Sequence, residues 1–191
     1  MNTLLGSLHV YTGPMFSGKT SRVIREITLL ADISELNKVI FINNILDVRD
    51  DACNISSHSS SYKGVSNKIM AVKAEKLSDI DVTDYTIIGI DEGNFYEDLY
   101  DTIKQWISQG KEIYCAGLDS DYKMNNFGKI HELLPISDSF IKLNALCYNC
   151  NLKGYRINAP FTKKKNTLDN SIIDVGGFDK YYASCRNCHE S

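Results

Sequence analysis

The chain has 191 residues, 43% of them hydrophobic and 24% charged, with a formal net charge of −3. That length suits one compact domain, or one domain with a small satellite, and the hydrophobic share is enough for a core. The acidic balance speaks against a general nucleic-acid binder, which shows a basic surface, and no apolar run approaches the length of a membrane span.

The opening segment Met1-Asn2-Thr3-Leu4-Leu5-Gly6 has neither a basic region nor a long apolar core, so no secretory signal is expected in it. The expected location is cytoplasmic, where thiols stay reduced. The six cysteines therefore call for a reading other than disulfides.

Leu8-His9-Val10-Tyr11 reads as a strand and Ser21 to Ala31 as a helix. Between them Gly13-Pro14-Met15-Phe16-Ser17-Gly18-Lys19-Thr20 has the form G-x-x-x-x-G-K-[ST], a phosphate-binding loop in the strand-to-helix context it needs. The glycines let backbone N–H groups wrap an anion, and the helix N-terminus adds its dipole. Lys19 would reach the β- and γ-phosphates and the Thr20 hydroxyl would sit on Mg²⁺. A nucleoside triphosphate is the expected ligand.

Lys38-Val39-Ile40-Phe41-Ile42-Asn43 follows as a buried strand, and the polar, serine-rich stretch from Asp50 to Ser66 reads as a mobile loop. Thr86-Ile87-Ile88-Gly89-Ile90-Asp91 is a further buried strand that ends in acid. Leu99, Ile103, Trp106 and Ile107 fall on one face of a helix, with Gly110 placed to stop it. Glu112 to Gly117 is another strand. From about Ile141 the composition changes to four cysteines with many lysines and asparagines. The expected architecture is α/β: a P-loop NTPase-like, mainly parallel sheet with helices on both faces, plus a small C-terminal zinc-binding domain. The boundary is placed near 140, dividing the chain into 1–140 and 141–191.

Two constellations carry chemistry. Asp91 and Glu92 close a buried strand, where one acid would hold Mg²⁺ and the other accept a proton from a hydroxyl nucleophile. The dipeptide by itself does not distinguish a kinase from a hydrolase. Cys147-x-x-Cys150 and Cys185-x-x-Cys188 are two knuckles that together offer four thiolates to one structural zinc. His189 is adjacent and reads as a bystander. Cys115 reads as core. Lys163-Lys164-Lys165 reads as the solvated tip of a loop.

Four segments in order resemble the type II thymidine kinases of cells, bacteria and large DNA viruses. They are Gly13 to Thr20, Ile88 to Tyr96 (IGIDEGNFY), Ala116 to Tyr122 (AGLDSDY) with Asn126-Phe127-Gly128 after it, and Lys142 to Cys150 with Val175 to Cys188. The resemblance covers nearly the whole chain. It implies a zinc domain that carries a lasso-shaped loop, and transfer of the γ-phosphate of ATP to the 5′-hydroxyl of thymidine for deoxynucleotide salvage. It implies that Gly13 to Thr20, Asp47, Arg49, Asp91 and Asn94 serve ATP and Mg²⁺, and that Glu92 is the general base. Thymidine would meet Met15, Phe95, Leu118, Tyr122, Phe127, Ile172, Ile173, Asp174, Val175, Gly176 and Tyr181. A homotetramer, feedback inhibition by thymidine triphosphate, and no stable nucleic-acid binding are also implied.

Two departures stand out. Asn94 replaces the usual glutamine of D-E-G-Q-F and is one methylene shorter. Arg156 falls near a threonine that lines the base pocket in many members, where it would narrow the pocket or point outward. The alternative reading is a P-loop ATPase joined to a zinc-ribbon nucleic-acid-binding module.

Overall fold

The computed structural model describes residues 5–46, 68–165 and 176–191. Asp47, Arg49, the Asp50 to Ser66 stretch, and Ile172, Ile173, Asp174 and Val175 lie outside the described residues.

Six strands form one parallel sheet: β1 (Ser7–Thr12), β2 (Val39–Asn44), β3 (Ile69–Ala74), β4 (Ile87–Ile90), β5 (Glu112–Ala116) and β6 (Ser139–Lys142). Their order across the sheet is β3-β2-β4-β5-β1-β6, and every neighbouring pair is parallel. A parallel sheet needs crossovers that cover its faces, which is why its inner strands are apolar runs without alternation. In β2 all six residues are buried, with Val39 and Phe41 serving one face and Ile40 and Ile42 the other.

Helix α1 (Lys19–Ile33) covers the first face. Its Val23, Ile24, Ile27 and Ala31 pack on Val39, Phe41, Ile87, Tyr114 and Ala116. Helix α2 (Leu99–Ser108) covers the second face with Leu99, Ile103 and Trp106, against Ile40, Ile42, Ile88, Ile90, Ile113 and Cys115. Fully burying one such isoleucine or leucine contributes about 1.5–3 kcal/mol. Helices thus lie on both faces, as the sequence pattern predicts, and the expected strands and helices fall within two residues of the observed ones. The two edge strands, β3 and β6, are additional. They are half exposed along most of their length, so they lack the unbroken apolar run that marks the inner strands.

The C-terminal lobe is built from small pieces. Strands β7 (Ala145–Leu146) and β8 (Asn158–Ala159) pair antiparallel, as do β9 (Phe161–Lys164) and β10 (Tyr181–Ser184). Short helices α3 (Tyr148–Asn151) and α4 (Arg186–Glu190) follow Cys147 and Cys185. Ala145, Cys147, Ala159, Ala183 and Cys185 form the lobe's core cluster, with Phe16 packed against it, and Phe161 and Tyr181 are buried on β9 and β10. That is too small a core to hold a fold without a further cross-link.

Candidate active site

The phosphate-loop sequence joins β1 to α1, and its backbone conformation explains its residues. Gly13 has φ +134° and Gly18 φ +82°. A Cβ at Gly13 would stand 2.3 Å from the Leu143 carbonyl oxygen, so only glycine lets the loop pass. Phe16 is left-handed at φ 66°, a conformation that costs a non-glycine residue about 1–2 kcal/mol. No side chain caps the first turn of α1, and no acid lies in it. Its N–H groups and its dipole are therefore presented to the loop, the arrangement that binds an anion. Lys19 is buried, and its Nζ donates to the Pro14 carbonyl at 2.7 Å. Ser17 Oγ donates to the same oxygen at 2.8 Å. The lysine charge is thereby folded over the loop.

The acidic strand end comes to the same place. Asp91 follows β4, which β5 separates from β1 in the sheet. Even so, Thr20 Oγ1 donates to Asp91 Oδ1 at 3.0 Å. Asp91 is 2% exposed, and its backbone N–H extends the ladder to Ile42 at 2.9 Å. A buried carboxylate beside a threonine hydroxyl is an oxygen pair of the kind that takes a hard cation. Glu92 is left-handed at φ 51°, ψ 41° and starts the 3₁₀ turn Gly93–Phe95. The turn breaks strand alternation directly after Asp91. Thr12, Asn43, Asn94, Asp119 and Tyr122 each bury one side-chain polar atom with no hydrogen-bond partner among the described residues. All five lie at or beyond the carboxyl ends of β1, β2, β4 and β5, the crevice where open parallel sheets bind ligands.

An aromatic wall stands beside this crevice. Phe95 and Phe127 meet edge to face, 5.6 Å between ring centroids. Asn94 lies behind them, 5% exposed, and its Oδ1 accepts from the Leu118 N–H at 2.8 Å. The Asn94 amide thus braces the segment after β5. Gly128 (φ +62°) passes so close that a Cβ there would lie 1.9 Å from the Asn94 carbonyl oxygen. The Asp121 carboxylate accepts from the N–H groups of Lys123 and Asn125, each at 2.8 Å, and shapes the tight turn that carries Tyr122. Lys164, itself buried, places Nζ 5.5 Å from the Tyr122 ring centroid. Tyr181 is buried on β10 directly across from Lys164. Leu118 and Gly176 are half-buried.

Thr162 is a contact that sequence reasoning missed. It is 4% exposed on β9, and its Oγ1 accepts from the Met15 N–H at 3.0 Å, tying the phosphate loop to the C-terminal lobe across 147 residues. Arg156 is exposed between α3 and β8 and points outward. Of the Lys163-Lys164-Lys165 triplet, Lys163 and Lys164 lie on β9 and are half-buried and buried, and only Lys165, just beyond the strand, is exposed as a solvated tip would be. Lys163 donates to the Cys188 carbonyl at 2.9 Å, Lys164 is buried, and Lys165 lies 4.0 Å from the Phe178 ring centroid. Lys164 lies over the Tyr122 ring, and Lys165 over those of Tyr148 and Phe178.

The four knuckle cysteines converge, with their sulfurs all within 4.8 Å of one another. Cys150 Sγ is 3.8 Å from Cys185 Sγ and 3.7 Å from Cys188 Sγ. A tetrahedral zinc with Zn–S bonds of about 2.3 Å sets sulfurs ~3.8 Å apart, so the residues fit that ion. Burial pushes the Cys147 thiol up, but the backbone N–H groups of Cys185 and Cys150 outweigh it and bring it to about 7. Cys150 is pushed up to about 12, first by burial and then by its sulfur neighbours. Four sulfurs this close would become thiolates on binding one cation, and four ligands leave no open position for chemistry. Cys115 is wholly buried in the sheet core, which raises its thiol well above the ordinary range. Among the described residues no helix is long and apolar enough to cross a membrane.

A family model described as thymidine kinase matches residues 6–189. The chain is 33% identical over 189 residues to the thymidine kinase of Fowlpox virus (strain NVSL), covering 96% of each chain. It is 38% identical over 186 residues to the thymidine kinase of Choristoneura fumiferana entomopoxvirus, again covering 96% of each. To the cytosolic thymidine kinase of Gallus gallus it is 31% identical over 186 residues, 96% of this chain and 77% of that one.

Proposed function

The chain belongs to the thymidine kinase family, and from that membership we propose that it transfers the γ-phosphate of ATP to the 5′-hydroxyl of thymidine, yielding thymidine monophosphate for deoxynucleotide salvage. The observation that carries this reading is the 3.0 Å contact between Thr20 and Asp91, which brings phosphate loop and acidic strand end together at one point. Gly13 to Lys19 bind the triphosphate. Thr20 and Asp91 hold Mg²⁺, which neutralises phosphate charge when bound. Phosphoryl transfer asks a protein mostly for positioning and charge neutralisation, which these few groups provide.

Glu92, at a left-handed backbone position directly after Asp91, takes the proton of the 5′-hydroxyl as attack proceeds. Phe95 and Phe127 wall the nucleoside, with Leu118, Tyr122, Met15 and Tyr181 around it. Ile172 to Gly176 pair thymine through backbone groups; a base that cannot match leaves buried groups unpaired, a discrimination that reaches ~10⁴–10⁵-fold. In this reading residues 1–140 bind ATP and carry the nucleoside wall and the base, and 141–191 supply the zinc-bound lobe and the lasso. The active form is a cytoplasmic homotetramer that thymidine triphosphate inhibits from the same site.

The test is to incubate the zinc-loaded protein with ATP and Mg²⁺ and each nucleoside in turn, following monophosphate by chromatography. Thymidine is the expected acceptor. No thymidine monophosphate from folded, metal-loaded protein sinks the reading, and ATP hydrolysis that ignores nucleosides favours an ATPase instead. Sedimentation and inhibition by thymidine triphosphate check the assembly and the feedback.

A further inference from the structure

His189 follows the last cysteine of the second knuckle and stands outside the four-sulfur cluster. Its backbone N–H donates to the Cys185 carbonyl at 2.9 Å, so the knuckle turn fixes where its side chain starts. Its ring meets Phe161 edge-on, with centroids 5.6 Å apart. Its Nε2 lies 3.0 Å from the Tyr122 carbonyl oxygen and 3.2 Å from the Thr162 carbonyl oxygen. Both partners only accept, so Nε2 carries the hydrogen and shares it between them. One imidazole therefore reaches two parts of the site. Thr162 holds the phosphate loop through Met15. Tyr122 stands in the turn beside the aromatic wall.

We infer that His189 is a positioning residue through which the second cysteine knuckle sets the separation of the phosphate loop from the nucleoside wall. The kinetic part rests on the kinase reading above. Reacting atoms must be held within about 3–3.5 Å, and a shift of ~1 Å costs about 10²-fold in rate. Removing the ring leaves the Tyr122 and Thr162 carbonyls without this donor and removes one tie between the Tyr122 turn and β9, which otherwise meet through Lys164 over the Tyr122 ring. Zinc has no part in the bonds themselves; it holds the turn from which His189 projects.

The test compares the wild-type full chain with His189→Ala and with His189→Gln, whose amide N–H replaces the Nε2 donor. All three are expected to hold one metal ion per chain. Amide exchange of residues 118–127 and 13–18 should quicken in His189→Ala and return toward wild type in His189→Gln. In parallel kcat should fall about tenfold or more in the alanine variant, with a smaller change in KM for ATP, and recover in the glutamine variant. Loss of the metal in His189→Ala makes the residue a ligand and overturns the inference. Unchanged exchange makes it a spectator. Failure of glutamine to restore the exchange pattern assigns the effect to packing on Phe161 and also overturns it. If wild type transfers no phosphate, the kinase reading falls, and the exchange comparison still decides what His189 does.

Discussion

Thr20 Oγ1 and Asp91 Oδ1 stand 3.0 Å apart although 71 residues and an intervening strand separate them. This hydroxyl–carboxylate pair is the proposed Mg²⁺ position. Asp91→Asn keeps the size of the side chain and removes the charge. We expect phosphoryl transfer to drop by about 10²-fold or more. Calorimetric binding of ADP without Mg²⁺ should change little, and the tightening that Mg²⁺ brings in wild type should disappear. Tightening by Mg²⁺ equal to wild type would remove Asp91 from the metal site.

Glu92→Gln separates binding from chemistry. The left-handed turn that presents this side chain is a backbone feature, and the amide keeps the shape. Nucleotide affinity should stay near wild type while kcat falls by about 10²–10⁴-fold, the usual contribution of a general base. Single-turnover rates measured with saturating thymidine decide it. A rate within threefold of wild type would assign the proton to another group.

The sulfur cluster predicts one bound metal ion per chain by elemental analysis. Cys150→Ser, which removes the sulfur 3.7–3.8 Å from two others, should abolish it. Because the core cluster around the knuckles is built from alanines and cysteines, the loss should appear as a lowered melting temperature and protease cleavage within 145–191. Phe16 packs on that same core, so nucleotide binding should weaken as well. Full metal content in Cys150→Ser would mean that the four sulfurs do not form the site.

A pH effect is expected away from the site. Partial burial pushes the Asp98 carboxyl up, but the N–H groups of Ser78 and Leu77, with the Ser78 side chain, outweigh it and hold it below its ordinary value. A carboxyl lowered in the folded state contributes stability that is fully present above its unfolded pKa of about 3.9 and is lost as pH falls through the folded value. Asp98→Asn should therefore be less stable than wild type at pH 7, with the gap closing on acidification below about pH 4. Urea unfolding at several pH values measures it. A gap independent of pH would show that the hydrogen-bond geometry, and not the charge, matters.

Local patterns carried much of this protein into view. The phosphate loop is eight consecutive residues at a strand-to-helix junction, and each knuckle is four residues long, so their chemistry is legible without knowing the fold. The inner strands and both long helices were equally plain, because burial on two faces leaves an unbroken apolar run and burial on one face leaves a helical period. The half-exposed edge strands β3 and β6 were not, since neither signal survives when one side meets water. What the tertiary structure alone decided are the contacts between distant segments: Met15 with Thr162, Asn94 with Leu118, and His189 with Tyr122 and Thr162. No spacing rule relates such partners, because a hydrogen bond across 24 to 147 residues depends on where the folded sheet and the knuckles carry each end. The same cause turned Lys164 from an expected surface charge into a buried one: its strand pairs with β10, and pairing fixes which way a side chain faces.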